Sequence, residues 1–255
     1  MPSMKARYEF KYLVKPEEEA FIRQVAQMYC APDAYGVNGK YTVSSLYFDT
    51  WDWLTAMQTV EGQRNRFKLR IRTYGFTPED PVFLENKGRV GTSILKQRAL
   101  MAREHVRDLC RGEPPPPGGF PALKAAHQDD LVRFRDRMDF LDMRPRLWVA
   151  YEREAYGSHY GDGARLTFDS ELRVQPPSHD DPFVPDDACW QSVALDGPQV
   201  IVEMKFNGAF PFWMQRIVHG LELKRVSCSK YVQGVEQTGD VPWNREEWAG
   251  QWTVY

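Results

Sequence analysis

Histidine and cysteine are scarce in this chain, and neither is spaced to hold a metal. The five histidines (His105, His127, His159, His179, His219) fall in scattered helix-like and loop-like stretches. The four cysteines (Cys30, Cys110, Cys189, Cys228) form no CxxC pair, which leaves free thiols in a reducing compartment as the expectation. No glycine-rich phosphate loop of the Walker type occurs, so any bound nucleotide must be held by side chains. No apolar run is long enough to span a membrane, and Met1-Pro2-Ser3-Met4-Lys5 leads straight into strand-like sequence. The expectation is a soluble cytoplasmic protein without direct membrane insertion. A net charge of −2 over 255 residues excludes a global pull on nucleic acid or anionic lipid. There is no internal repeat at a fixed period.

Against that neutral background, positive charge is concentrated locally. In Arg64-Asn65-Arg66-Phe67-Lys68-Leu69-Arg70-Ile71-Arg72 five cations share one parity, and Phe67, Leu69 and Ile71 share the other. A strand sends alternate side chains to opposite faces, so one face carries five like charges. At roughly 7 Å and an effective dielectric of about 20, each neighbouring pair costs about 2 kcal/mol. Either solvent screens this face or a polyanion occupies it.

Other segments repeat the signature. Residues 7–14, 41–48, 82–87, 93–101, 146–156, 165–169 and 199–206 read as strands, most of them with ionised groups on one face. Helices are expected over 16–28, where Pro16 and three glutamates suit a helix start, and over 211–223. A helical insert over about 102–142 contains the run Pro114 to Gly119. An aromatic tail over about 240–255 carries Trp243, Trp248, Trp252 and Tyr255. The whole chain, 1–255, reads as one α+β domain. If the sheet closes with its charged face inward, it is an antiparallel β-barrel whose tunnel is lined by Arg and Lys, with helices packed outside. Unpaired buried charge costs several kcal/mol each, so such a lining calls for a bound anion. Guanidinium and ammonium groups suit phosphates, and interspersed glutamates suit a divalent cation that bridges phosphate oxygens. The aromatics lie on the opposite face from the cations, which argues against RNA or other nucleic acid as the ligand.

At this point an ordered set of motifs stands out. Arg7-Tyr8-Glu9-Phe10-Lys11 resembles the first strand of the triphosphate tunnel metalloenzymes. The segments Val43 to Asp49, Lys68 to Gly75, Phe83 to Lys87, Tyr151-Glu152-Arg153, Arg165 to Asp169, Val202-Glu203-Met204-Lys205 and Ser229-Lys230-Tyr231 resemble, in order, the VTC-type polyphosphate polymerase branch of that CYTH-like superfamily. The resemblance implies a closed tunnel and transfer of the terminal phosphate of ATP to a growing inorganic polyphosphate chain. It implies Mn²⁺ or Mg²⁺ as cofactor. Lys11, Arg70, Arg72, Lys87 and Lys230 would carry catalysis. Lys96, Arg153, Arg165, Lys205, Arg66 and Lys68 would bind phosphate, with Arg64, Arg66 and Lys68 near the mouth. Glu203, Glu9 and Glu85 would hold the metal. For Glu9, Glu85, Glu152 and Asp169 a salt bridge inside the tunnel is an equal expectation. The hydrolytic branches carry ExExK where this chain has Arg7 in the first acid's place, which favours the polymerase branch. The alternatives are a metal-dependent tripolyphosphatase or nucleoside triphosphatase in the same tunnel, and a non-catalytic sensor of polyphosphate or inositol polyphosphates. A membrane partner that receives the product would have to be a separate chain.

Overall fold

The computed structural model describes residues 7–77, 79–91, 93–111, 113–114, 119–195, 200–239, 241 and 243. These residues include ten strands and six α-helices. The first half contains β1 (Arg7–Val14), α1 (Pro16–Tyr29), β2 (Cys30–Pro32), β3 (Lys40–Asp49), α2 (Leu54–Val60), β4 (Asn65–Thr73), β5 (Val82–Val90) and β6 (Ser93–Met101). The second half contains α3 (Val106–Cys110), α4 (Gln128–Phe140), β7 (Arg144–Ser158), β8 (Arg165–Gln175), β9 (Gln191–Ser192), β10 (Val200–Asn207), α5 (Phe212–Gly220) and α6 (Lys230–Thr238). The predicted tail residues Trp248, Trp252 and Tyr255, most of the proline run and Gln199 lie outside the described residues. Trp243 is described, and it is buried beside α6.

All pairings are antiparallel, in the order β1-β10-β8-β7-β3-β4-β5-β6, with β2 added to β7 and β9 to β8. The expectation of a closed barrel is not met: the sheet is an open path, and no ladder joins β1 to β6 among the described residues. The free edge of β1 has another partner. Tyr12 forms an antiparallel bridge with Arg225, and the Val226 amide donates to the Lys11 carbonyl at 2.9 Å. Side chains nevertheless span the gap, since Lys87 on β5 reaches Glu9 on β1 at 3.3 Å.

Alternation assigns the two faces. Leu69, Ile71 and Leu84 meet Leu131, Phe134 and Met138 of α4 on the outer face. Tyr12, Phe168, Val202 and Met204 meet Ile22, Val25, Trp213 and Ile217 of α1 and α5 there as well. These apolar stripes are the ones the strand and helix periods predict. The expectation that all helices pack outside holds for these but not for α2 and α6. Val43, Tyr47, Leu147, Val149 and Ile201, all on the inner parity, form a third cluster with Ala56 of α2 and Tyr231, Val232 and Val235 of α6. These two helices therefore cover one end of the concave face. Close approach is built in at Gly234 of α6, where a Cβ would come within 2.7 Å of Val174 Cγ1 and 2.8 Å of Leu147 Cδ2. No helix among the described residues is long and apolar enough to cross a membrane.

Candidate phosphate-binding site

The rest of the concave face is a cavity of about 590 Å³. Twelve Lys and Arg side chains line it against three carboxylates, Glu9, Glu203 and Glu236. Five strands supply the charge. Lys11 comes from β1, Arg66, Lys68, Arg70 and Arg72 from β4, Lys87 and Arg89 from β5, Arg153 from β7 and Lys205 from β10. The segment leading into α6 adds Arg225, and α6 itself adds Lys230 at its first turn.

Glu203 is the hub of the deep end. Its side chain is 5% exposed, and four cations surround it: Lys205 at 2.9 Å, Lys230 at 3.1 Å, Lys11 at 3.3 Å and Arg153 at 3.5 Å. Burial alone would raise its pKa, but the lysines, Lys205 foremost, hold it well below the usual carboxylate range. Beneath it, Asp169 accepts a bidentate pair from Arg153 at 2.6 and 2.7 Å and binds Lys230 Nζ at 2.6 Å. Burial disfavours charge on Lys230, yet Asp169 and Glu203 outweigh it and raise its pKa.

A second anchor holds β4. Glu85, 1% exposed, takes two hydrogen bonds from Arg70 at 2.8 and 2.6 Å. Lys96 and Arg98 approach its other oxygen at 3.2 and 3.3 Å, and Arg72 stands at 4.0 Å. Arg70 also donates to the Tyr47 hydroxyl at 2.8 Å. Tyr47 is stacked on Tyr231 at 4.4 Å between ring centres. Burial would raise the Tyr47 pKa, but Arg70 and Arg72 lower it.

Eleven of the fourteen expected site residues line this one cavity: Lys11, Arg66, Lys68, Arg70, Arg72, Lys87, Arg153, Lys205, Lys230, Glu203 and Glu9. Three lie outside its lining. Glu85 lies beneath the arginines it holds, Lys96 is half-exposed beside Glu85, and Arg165 pairs with Asp33. Glu9, Glu85 and Asp169 make the salt bridges expected of them, within or directly beneath the cavity lining, whereas Glu152 is on the opposite parity of β7 and pairs with Arg173 at 3.4 Å outside the cavity. The expectation that the aromatics lie opposite the cations is not met, since Tyr47, Tyr151 and Tyr231 line the cavity, and the sequence pattern assigned neither them nor the Ser229 cap a role. Tyr47 shares its parity with Ser45 and Val43, so alternation alone placed it on the inner face, but no charge drew attention to it. The signals for α6 are Ser229 as N-cap and the left-handed Gly239 as its stop.

A family model described as "VTC domain" matches residues 6–238. The chain belongs to the VTC-domain family. The match spans every strand of the sheet and ends at the last residue of α6, so it takes in the whole cavity. No curated protein matches the chain. Among solved structures, PH1819 of Pyrococcus horikoshii OT3 is 15% identical, with a TM-score of 0.44 over 91% of this chain and 99% of that one. A candidate adenylate cyclase of Bacillus halodurans is 13% identical, at 0.46 over 90% and 96%. A Hippeastrum adenylyl cyclase candidate, described as having a dominant triphosphatase activity, is 12% identical, at 0.45 over 92% and 97%. Likenesses this distant carry no argument about chemistry in this VTC domain.

Proposed function

We propose that this VTC domain binds the phosphate chain of ATP or inorganic polyphosphate in its basic cavity and, with a divalent cation, transfers the terminal phosphate of ATP to a growing polyphosphate chain. The observation that supports this reading is the excess of cations around one cavity: twelve line it, against Glu9, Glu203 and Glu236 in the lining and Glu85 and Asp169 beneath it. Uncompensated charge in a partly desolvated space is costly, and a chain of phosphates removes the cost along its whole length.

Each part of the lining has a task in this reading. Arg70 and Arg72, fixed from below by Glu85, present guanidinium groups for bidentate contact with phosphate oxygens. Lys11, Lys87 and Lys230 supply point charges along the chain. Arg153 and Lys205 hold the Glu203 end. Phosphoryl transfer needs positioning and charge neutralisation more than a covalent intermediate, so a cation-lined cavity is chemically sufficient.

The donor set fits a metal in one way. No group of three or more His, Cys, Asp or Glu side chains converges among the described residues, so phosphate oxygens and water would have to complete the shell of any metal there. Glu9 and Glu203 lie on adjacent strands and share Lys11 and Lys205 as partners. A Mg²⁺ or Mn²⁺ held by one or two carboxylates, with phosphate oxygens and water completing the shell, suits this pair. When bound, the ion would neutralise charge on the phosphates. Glu85, which lies outside the cavity lining beneath Arg70, serves better as the anchor of that side chain.

The test is to incubate purified protein with ATP and Mn²⁺ and resolve the products on a gel. The reading predicts a polyphosphate ladder in wild type and none in Lys11→Ala. Orthophosphate release without chain growth would move the activity to the triphosphatase class. Binding without turnover would make the domain a sensor.

A further inference from the structure

The lysines of the cavity are not equivalent. Lys11 and Lys230 have Glu203 within 3.3 and 3.1 Å, Lys205 has it within 2.9 Å, and Lys87 has Glu9 at 3.3 Å. Lys68 has no carboxylate within 4 Å among the described residues. Its Nζ donates to the Ser229 hydroxyl at 2.7 Å and stands 6.0 Å over the Tyr231 ring. Ser229 is the N-cap of α6 and accepts from the Val232 amide as well.

Charged groups face Lys68 from every side. Arg66 and Arg70 flank it on β4, Lys87 is its register partner on β5, and Lys11 faces it from β1. Of the lining acids, Glu9 and Glu203 pair with Lys11, Lys87, Lys205, Lys230 and Arg153, and Glu236 lines the cavity from α6. A neutral amine can still donate to the Ser229 hydroxyl, so the observed contact needs no charge. Burial, together with these four cations, holds the Lys68 pKa well below the ordinary lysine value, in keeping with the geometry.

We propose that Lys68 is the proton-linked element of this cavity: a phosphate chain that enters beside it favours the ammonium form of its amine, so that binding draws a proton onto Lys68. The inference rests on the anion-binding reading above and adds its regulation. A phosphate oxygen near Nζ supplies the counter-charge that no carboxylate provides. Binding and protonation therefore favour one another, as linkage requires. The proton comes from the buffer, and the product is the ammonium form paired with the phosphate. Affinity is therefore greatest at low pH and falls as pH rises through the window between the free and bound pKa values of Lys68. Phosphate chains that arrive in an acidified local environment are then held more tightly than in an alkaline one.

The test uses the full chain and inorganic tripolyphosphate as the probe. Calorimetric titration near pH 8 in buffers of different ionisation enthalpy counts the protons taken up per ligand. Tripolyphosphate itself and Lys87 also titrate, so the informative quantity is the difference between wild type and variants. Lys68→Arg keeps a permanent charge, and Lys68→Gln has none; neither can take up the proton. Both are expected to bind with about one proton fewer than wild type. Both should also lose most of the wild-type fall in affinity between pH 7 and pH 9, about tenfold per pH unit where the linkage is complete. If one variant fails to fold, the other suffices. Equal uptake in wild type and a folded variant overturns the proposal while leaving the anion site in place. Failure of wild type to bind tripolyphosphate at all overturns the anion site, and this inference with it.

Discussion

The Tyr231 hydroxyl donates to the Asp49 carboxylate at 2.7 Å, across 182 residues of sequence. Asp49 ends β3 fully buried. It also accepts from the Thr50, Thr55 and Ala56 amides and from the Thr55 hydroxyl. One carboxylate thus fixes the start of α2 and the first turn of α6. The neighbouring Lys230 is thereby aimed into the cavity, onto Asp169 and Glu203.

Removal of that hydroxyl is the first test. Tyr231→Phe should cost about 1.5–3 kcal/mol, the range for a hydrogen bond to a charged group. Urea denaturation reads the loss. Tripolyphosphate affinity should fall with it, because Lys230 loses its fixed position. An unchanged urea midpoint would mean that Asp49 is held well enough by its other donors.

The basic strand should divide by depth. Arg72 is 9% exposed and close to Glu85, whereas Arg64 is exposed. Arg72→Met should weaken tripolyphosphate binding at least about tenfold at every ionic strength, in line with loss of a buried charge pair. Arg64→Ala should act mainly on the association rate, and its effect should vanish in high salt, as for a rim charge. Stopped-flow binding at two salt concentrations separates the two.

Acid should unravel the site through its carboxylates. Burial pushes the Glu9 pKa up, but Lys205, with Lys87 and Lys11, pulls it from 4.5 down to about 2. A group depressed on folding stabilises the folded state above its unfolded pKa. The contribution of Glu9 is therefore complete above pH 4.5 and lost as pH falls towards 2. Glu9→Gln should be less stable than wild type at pH 7 and should lose less stability between pH 4.5 and 2. Circular dichroism with urea at several pH values shows whether the two curves converge.

Metal dependence should reside in Glu203. In Glu203→Ala four cations lose their shared partner, so metal-free tripolyphosphate binding should persist or tighten. The gain in affinity on adding Mn²⁺ should disappear. Parallel titrations with and without Mn²⁺ measure it, and a gain that survives the substitution would move the metal to other ligands.

Much of this was legible in the sequence where chemistry follows the two-residue period. The alternation over 64–72 separated Leu69 and Ile71, which pack on α4, from Arg70 and Arg72, which face the cavity. Glu203 and Lys205 were separated from Val202 and Met204 in the same way. Alternation cannot show what covers a face. Tyr47, Val149 and Ile201 share the parity of the charged residues, yet they form the floor under α2 and α6. Closure was also beyond its reach. It depends on what occupies the free edge of β1, and the pairing of Tyr12 with Arg225 is set by the path of the chain into α6. The separate character of Lys68 emerged only from distances, since its place in the sequence pattern matches that of Arg70.

The most direct measurement is equilibrium binding of tripolyphosphate to the full chain by calorimetry, in wild type and in Lys230→Met. A phosphate-chain site predicts one ligand per chain in wild type, affinity that weakens as salt is raised, and at least about a tenfold loss in the variant, as expected when a buried ion-paired lysine is removed. No binding by wild type, or binding that Lys230→Met leaves unchanged, would contradict the assignment of this cavity to phosphate.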